Sequence, residues 1–216
     1  LLEVNKDNMI KYYDMKKFLL IGALLLVALS SAFAQKVAIK NNLAYDALLT
    51  PNLSLEVALG RKVTLDTQVG ANFFFYEKNS LAEGYTPKKW SHWMVQPELR
   101  LWTCDVFNGW FFGLHAHGGL MNVGGVNIPY FILQNKENKM ADHRYEGWFI
   151  GGGVSVGYHW MLSSRFSLEA SIGAGYARIM YDKYKCTTCG ERLAKDQVAD
   201  YIGPTKATLS LIYMIK

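Results

Sequence analysis

From residue 36 onward, apolar and polar side chains alternate with a period of two, the pattern of strands with one apolar face. In NLSLEVALG, Leu53, Leu55, Val57 and Leu59 face one way, and Ser54, Glu56 and Ala58 the other. VTLDTQVGANFFF sets Val63, Leu65, Val69, Phe73 and Phe75 against Thr64, Asp66, Gln68, Gly70 and Asn72. WMVQPELRL, GWFFGLHAHGG, GWFIGGGVSVGYHW, SLEASIGAGY and TKATLSLIYMI repeat the scheme, and KVAIKNNLAYDAL does so less cleanly. The pattern predicts eight strands, near 36–48, 52–60, 63–76, 90–103, 109–122, 146–160, 166–181 and 204–215. Pro97 falls inside the fourth, and because proline has no N–H to give the ladder, a bulge is expected there.

The connections carry a separate signal. GRK, CDVFN and LSSR join strands two/three, four/five and six/seven tightly, whereas the links at about 77–89, 123–145 and 182–203 are long. Short and long links alternate, as in an outer-membrane barrel with brief periplasmic turns and larger external loops. Only the first external loop, around Thr50-Pro51-Asn52, is short.

Alternation alone does not say which face is inside. In a soluble lipocalin-like barrel the apolar face points inward and the outer face is charged. Here the apolar face is bulky and nearly free of charge, and the other is glycine-rich with scattered acids and bases, which suits a lipid-facing exterior and a small filled interior. Aromatics mark both ends of the apolar face: Trp110, Tyr158, Trp160 and Tyr213 near the short turns, and Tyr45, Trp93, Trp148 and Tyr176 near the long loops. From Trp148 to Tyr158 a strand rises roughly 33 Å, about 25 Å of height at a 40° tilt, the thickness of the apolar band in such barrels. The predicted fold is therefore all-β, an eight-stranded antiparallel up-and-down transmembrane barrel.

Export is written upstream. Met15 to Gln35 reads as a secretory signal peptide, with Lys16 and Lys17 as the charged region, Phe18–Leu29 as the apolar region, and Ala32 and Ala34 as the small residues before cleavage. Twelve apolar residues rise only about 18 Å as a helix, short of the roughly 30 Å hydrocarbon core, which argues against an anchor. The division expected is 1–14 as an upstream misread start or tail, 15–34 as the leader and 35–216 as one barrel domain in the outer membrane.

Composition agrees and narrows the function. Only 19% of the 216 residues are charged, and the net charge of +5 is gathered in no run, so a nucleic-acid partner is not expected. Eight strands enclose no aqueous channel, which argues against a porin.

Candidate chemistry is sparse. Cys186 and Cys189, in Cys-Thr-Thr-Cys of the last long link, read as a local disulfide in an exported loop rather than as half a zinc site or a thioredoxin-like pair. Cys104, at a short turn a membrane thickness away, reads as a lone thiol. His115 and His117 share one strand face with Glu98 on the next strand, a partial metal set read instead as polar filling. Ser91-His92 and Asp142-His143 near the external strand ends would seed a lipid-directed acyl-chain enzyme, but no G-x-S-x-G elbow or third partner is legible. No catalytic residue, metal or cofactor is expected.

The interior does carry an expectation. Alternation places Asp46, Glu56, Asp66, Glu98 and Glu169 inside with Lys40, Arg100 and Lys206. Pairing Leu59 with Val63 across the GRK turn sets Glu56 opposite Asp66. Pairing Tyr76 with Trp90 sets Asp66 opposite Arg100, which would bridge both acids. Closure of the last strand on the first would bring Lys206 to Asp46 near the external rim.

The stretches NNLAYDALLTPNLSLEVALGRK, KWSHWMVQPELRLW, NGWFFGLHAHGG, RYEGWF, YDKYKCTTCGERL and YIGPTKATLSLIY resemble the family of small exported proteins called domain of unknown function 3575, from Gram-negative anaerobes. The resemblance implies an outer-membrane barrel, sometimes encoded near fimbrial assembly genes, with no assigned activity. The expectation is a monomeric, non-catalytic barrel with a filled lumen. Its partners would be outer-membrane lipid and fimbrial or surface proteins met through the external loops. The alternatives are a lipid-modifying barrel enzyme and a soluble lipocalin-like periplasmic binding barrel.

Overall fold

The computed structural model describes residues 36–73, 75–76, 88–125, 143–185 and 190–215. The leader at 15–34 and the pair Cys186 and Cys189 lie outside the described residues. The strands are β1 (Val37–Asn42), β2 (Asn52–Ala58), β3 (Val63–Asn72), β4 (Phe75–Tyr76), β5 (Lys88–Trp102), β6 (Gly109–Gly124), β7 (Arg144–Met161), β8 (Phe166–Tyr184) and β9 (Arg192–Met214), with one short helix, α1 (Leu43–Ala47). β4 continues β3 along the same flank of β5, so the nine segments fill eight strand positions. All belong to one antiparallel sheet in the order β3-β2-β1-β9-β8-β7-β6-β5, and β5 pairs in turn with β3. No helix of the described residues is long and apolar enough to cross a membrane, which says nothing about crossing by strands.

Along β3, Thr64, Asp66, Gln68, Gly70 and Asn72 are buried, while Leu65 and Val69 are exposed. The same inversion runs around the sheet. Leu114, Val154 and Ile172 are each more than 60% exposed, while the buried face carries Glu56, Asp66, Glu98, Glu169, Lys40, Arg100 and Lys206 and most of the strand hydroxyls. The short turns are built locally. Leu59 N–H donates to the Val63 carbonyl at 2.8 Å, and Ser163 Oγ accepts from Phe166 N–H at 3.0 Å, the serine stabilising the bend through its hydroxyl.

Three expectations are corrected. The first strand ends at Asn42 rather than residue 48. Asn42 Oδ1 accepts from Ala44 N–H at 3.1 Å as a helix cap, and Asn52 returns two bonds to Asn42, to its N–H at 2.8 Å and its carbonyl at 2.9 Å. These side chains satisfy the backbone where the ladder stops, which lets α1 begin.

The last strand begins at Arg192, not 204, so most of the expected loop 182–203 is strand. Residues Arg192 to Tyr201 are exposed or half-exposed on both faces, so their sequence shows no apolar–polar contrast from which a strand would be read. What holds them is the ladder to β8, with Asp182 accepting from Asp196 N–H at 2.8 Å and from Arg192 at 3.3 Å.

Pro97 makes no bulge. β5 pairs Val95 with Gly118 and Glu98 with His115 in one unbroken register, and the two pairs between them are missing. The ladder omits bonds there without inserting a residue, and on its other side Pro97 stays opposite Thr67. A bulge does occur at the other strand proline. Gly173 pairs with Lys206 and Ala174 with Pro204, leaving Thr205 as the extra residue.

Candidate functional site: a buried charge cluster

The buried face is layered. At the short-turn end, Trp102, Val106, Phe107, Phe111, Ala38, Ala58 and Ile212 form an apolar floor. Val106 and Phe107 come from the turn after β5, which folds back beneath the sheet with Phe107 at a positive φ of 62° and Val106 N–H on the Arg61 carbonyl at 3.1 Å. Trp102 is its centre, 5.0 Å from the Phe111 ring and 5.7 Å from Phe107 between centroids, with Nε1 donating to Thr64 Oγ1 at 3.0 Å. At the other end Val123 and Tyr145 pack with Trp90, Met121 and Tyr181.

Above the floor lies the charge cluster. Arg100, 1% exposed, projects from β5 and its guanidinium meets four carboxylates. Nη2 donates to Asp66 at 2.8 Å, Nη1 to Glu56 and Glu169 at 3.0 Å each, and Nε to Glu98 at 2.5 Å. Its plane also sits 4.4 Å from the Phe111 ring centroid, joining cluster to floor. Lys40 from β1 donates to Glu169 at 2.9 Å and pairs with Glu56, and Lys206 from β9 donates to Glu98 at 2.7 Å. Hydroxyls complete the acids: Thr64 donates to Glu56, Ser54 to Asp66, and Ser155 to Glu98 at 2.5 Å.

Glycines on the neighbouring strands make the room: Gly113 pairs with Arg100 and Gly173 with Lys206. A Cβ at Gly113 would fall on the Glu98 carboxylate and the Ser155 hydroxyl, and one at Gly173 would press on His115 and Lys206, both at 3.1 Å.

The sequence places most of this set, and the structure brings together Glu56, Asp66, Glu98, Arg100, Glu169, Lys206 and Lys40. Glu56 lies opposite Asp66. Two assignments are corrected. Tyr76 pairs with Lys88 rather than Trp90, so Asp66 faces Glu98 and Arg100 faces Thr64; the length of the arginine side chain still carries it to both acids. Asp46 is not in the cluster. It sits on α1, half-buried, accepting from Asn52 Nδ2 at 3.0 Å, because the alternation assumed for it ends at Asn42. The Thr205 bulge sets the inward position of Lys206, whose partner is Glu98 instead.

Other candidates do not assemble. Ser91 and His92 are neighbours in β5 and point to opposite faces; His92 Nε2 lies 3.3 Å from Thr50 Oγ1. Asp142 lies outside the described residues. His115 Nε2 meets Thr205 Oγ1 at 2.9 Å, and its Nδ1 is 4.0 Å from Glu98. Among the described residues no group of three or more His, Cys, Asp or Glu side chains is placed to hold a metal. Cys104 is exposed in the turn after β5.

The sequence reading missed the three hydroxyls, the partners of Lys40, and His159, whose Nδ1 is 3.7 Å from Glu169. Their inward parity was available, and Thr64–Glu56, Ser54–Asp66 and His159–Glu169 lie within single hairpins, whereas Ser155 to Glu98 and Lys40 to Glu169 cross strands distant in sequence.

Chemically the cluster is self-sufficient. Each cation is spent on acids of the same cluster, and each carboxylate accepts from a buried cation. Such a group links β1, β2, β3, β5, β7, β8 and β9 through charge-assisted bonds and is costly to break singly.

A family match spans residues 19–215, nearly the whole chain, to the family described as protein of unknown function (DUF3575). The chain belongs to this family. No curated protein and no solved structure matches the chain. DUF3575 brings no assigned activity, so the physical reading of the residues carries the functional argument.

Proposed function

We propose that this DUF3575 protein is a non-catalytic, up-and-down β-barrel of the outer membrane, whose filled lumen makes it a rigid pedestal for surface structure beyond the external rim. The observation that carries the reading is the inverted polarity of the sheet. The buried face holds four acids and three bases within ion-pair distance, while the exposed face is leucine, valine, isoleucine and aromatic residues. Water does not reward that exterior and lipid does. The cycle of strand pairings supports closure, since it leaves each strand position with a neighbour on both sides. Aromatic side chains on the exposed face support the girdles: Trp110 stacks edge-on to Tyr158 at 5.1 Å near the short turns, with Trp93 and Trp148 exposed toward the other end. The leader read at Met15–Ala34 supplies the route of export.

Fractionation tests this. The protein is expected in the outer-membrane fraction, soluble only with detergent, and migrating faster on a gel unheated than boiled. Recovery from the periplasm without detergent would reject it. Orientation is tested through Cys104 in a variant with Cys186→Ser and Cys189→Ser. An impermeant maleimide is expected to label Cys104 only after the outer membrane is permeabilised, and labelling on intact cells would invert the topology.

A further inference from the structure

β1 ends at Asn42, opposite Ser210, but β9 continues to Arg192. The Asn42 side chain reaches Leu209 N–H at 3.2 Å and the Ala207 carbonyl at 3.5 Å. Beyond that, no strand of the described residues pairs with this flank of β9, whose other flank stays paired with β8. The edge has defined limits. The Thr205 bulge closes one end, and the irregularity at Asp196, which has a positive φ of 53°, closes the other. Between them Gln197 to Gly203 pair without a break with Tyr181 to Gly175. Bulges twist an edge away from pairing, so these seven residues, roughly 20 Å of strand, are the usable template.

The geometry points to an added strand: an extended segment of another protein docks on β9 from Gln197 to Gly203 by main-chain pairing. An open strand edge presents N–H and carbonyl groups at a fixed repeat, which another extended backbone matches. The side chains specify more. Val198 and Ile202, 48% and 85% exposed, flank Asp200 on one face. Asp200 accepts from Tyr176 at 2.5 Å and lies 4.0 Å from Arg178, its side chain still more than half exposed. The complementary segment has a basic residue facing Asp200 between two apolar ones facing Val198 and Ile202, since opposite charges and apolar pairs across strands are the favourable combinations. A second copy fits poorly, because antiparallel two-fold pairing centred on this stretch sets Asp200 against Asp200. The inference deepens the surface role proposed above, and rests on it only in placing the edge outside the membrane.

Hydrogen exchange on the detergent-purified full chain tests it, with synthetic seven-residue probes. The edge-facing amides between Gln197 and Gly203 are expected to exchange fast in the free protein. They should slow at least about tenfold with TVTKTVT at about millimolar concentration, less with TVTDTVT, and not at all in the Val198→Lys, Ile202→Lys variant. That variant should keep its heat-dependent gel mobility, since both side chains are exposed. Edge amides already protected in the free chain would overturn the proposal, as would no protection by either probe or protection that survives the double variant. A chain recovered from the periplasm yet showing the expected protection would reject the membrane reading and leave the docking edge standing.

Discussion

Arg100→Leu is expected to destabilise the folded chain by about 3–5 kcal/mol, the range for removing one partner of a buried ion cluster. The substitution strands Glu56, Asp66, Glu98 and Glu169 around an apolar side chain, with Lys40 and Lys206 as the remaining cations of the cluster. Asp66→Asn added to this variant should recover part of the loss, because it removes the acid that Arg100 holds at 2.8 Å through Nη2. Glu56→Gln as a third change should recover more, since it leaves Glu169 and Glu98 with one lysine each, Lys40 and Lys206. Urea titration of the refolded protein in bilayers reads all three. A single variant as stable as the parent, or a triple variant no better than the single, would show that the cluster does not hold the strands together.

Trp102→Ala is expected to cost about 3–5 kcal/mol, as large-to-small substitutions of buried aromatics do. Trp102 is 1% exposed and touches Phe107 and Phe111, so its removal hollows the floor. It also leaves Thr64 Oγ1 without the indole donor while that hydroxyl serves Glu56. Trp102→Phe keeps most of the packing and should lose about 1–2 kcal/mol, for the vacated volume and the missing N–H. Equal losses for alanine and phenylalanine would mean that the hydrogen bond, rather than packing, is what matters there.

Legibility in the sequence followed a physical division. Strands with one lipid-like and one polar face showed themselves by period, as in β3, where Val63, Leu65 and Val69 alternate with Thr64, Asp66 and Gln68. The far part of β9 did not, because Lys195, Gln197 and Asp200 lie in a region exposed on both faces, where no contrast is needed. The inward charges were legible by parity, down to Glu56 facing Asp66. The partners across the buried face were not. Asp66 and Arg100 were expected opposite each other, yet two residues of slip across the second long link separate them, and only the reach of the guanidinium restores the contact. Pro97 shows the same limit, since a ladder can omit bonds at a proline instead of inserting a residue, and sequence does not distinguish the two.

The central claim is that the exposed apolar face meets lipid while the charges lie inside. Leu114 sits opposite Val154, midway between the two aromatic ends, and is 64% exposed. Folding free energies in bilayers should therefore show Leu114→Arg losing about 2–4 kcal/mol, the depth-dependent penalty of a charge at the bilayer midplane, and Ile202→Arg, beside Tyr176 at the external aromatic end, losing about 0–1 kcal/mol. Equal and negligible losses at both positions would mean that Leu114 faces water, and would contradict the account.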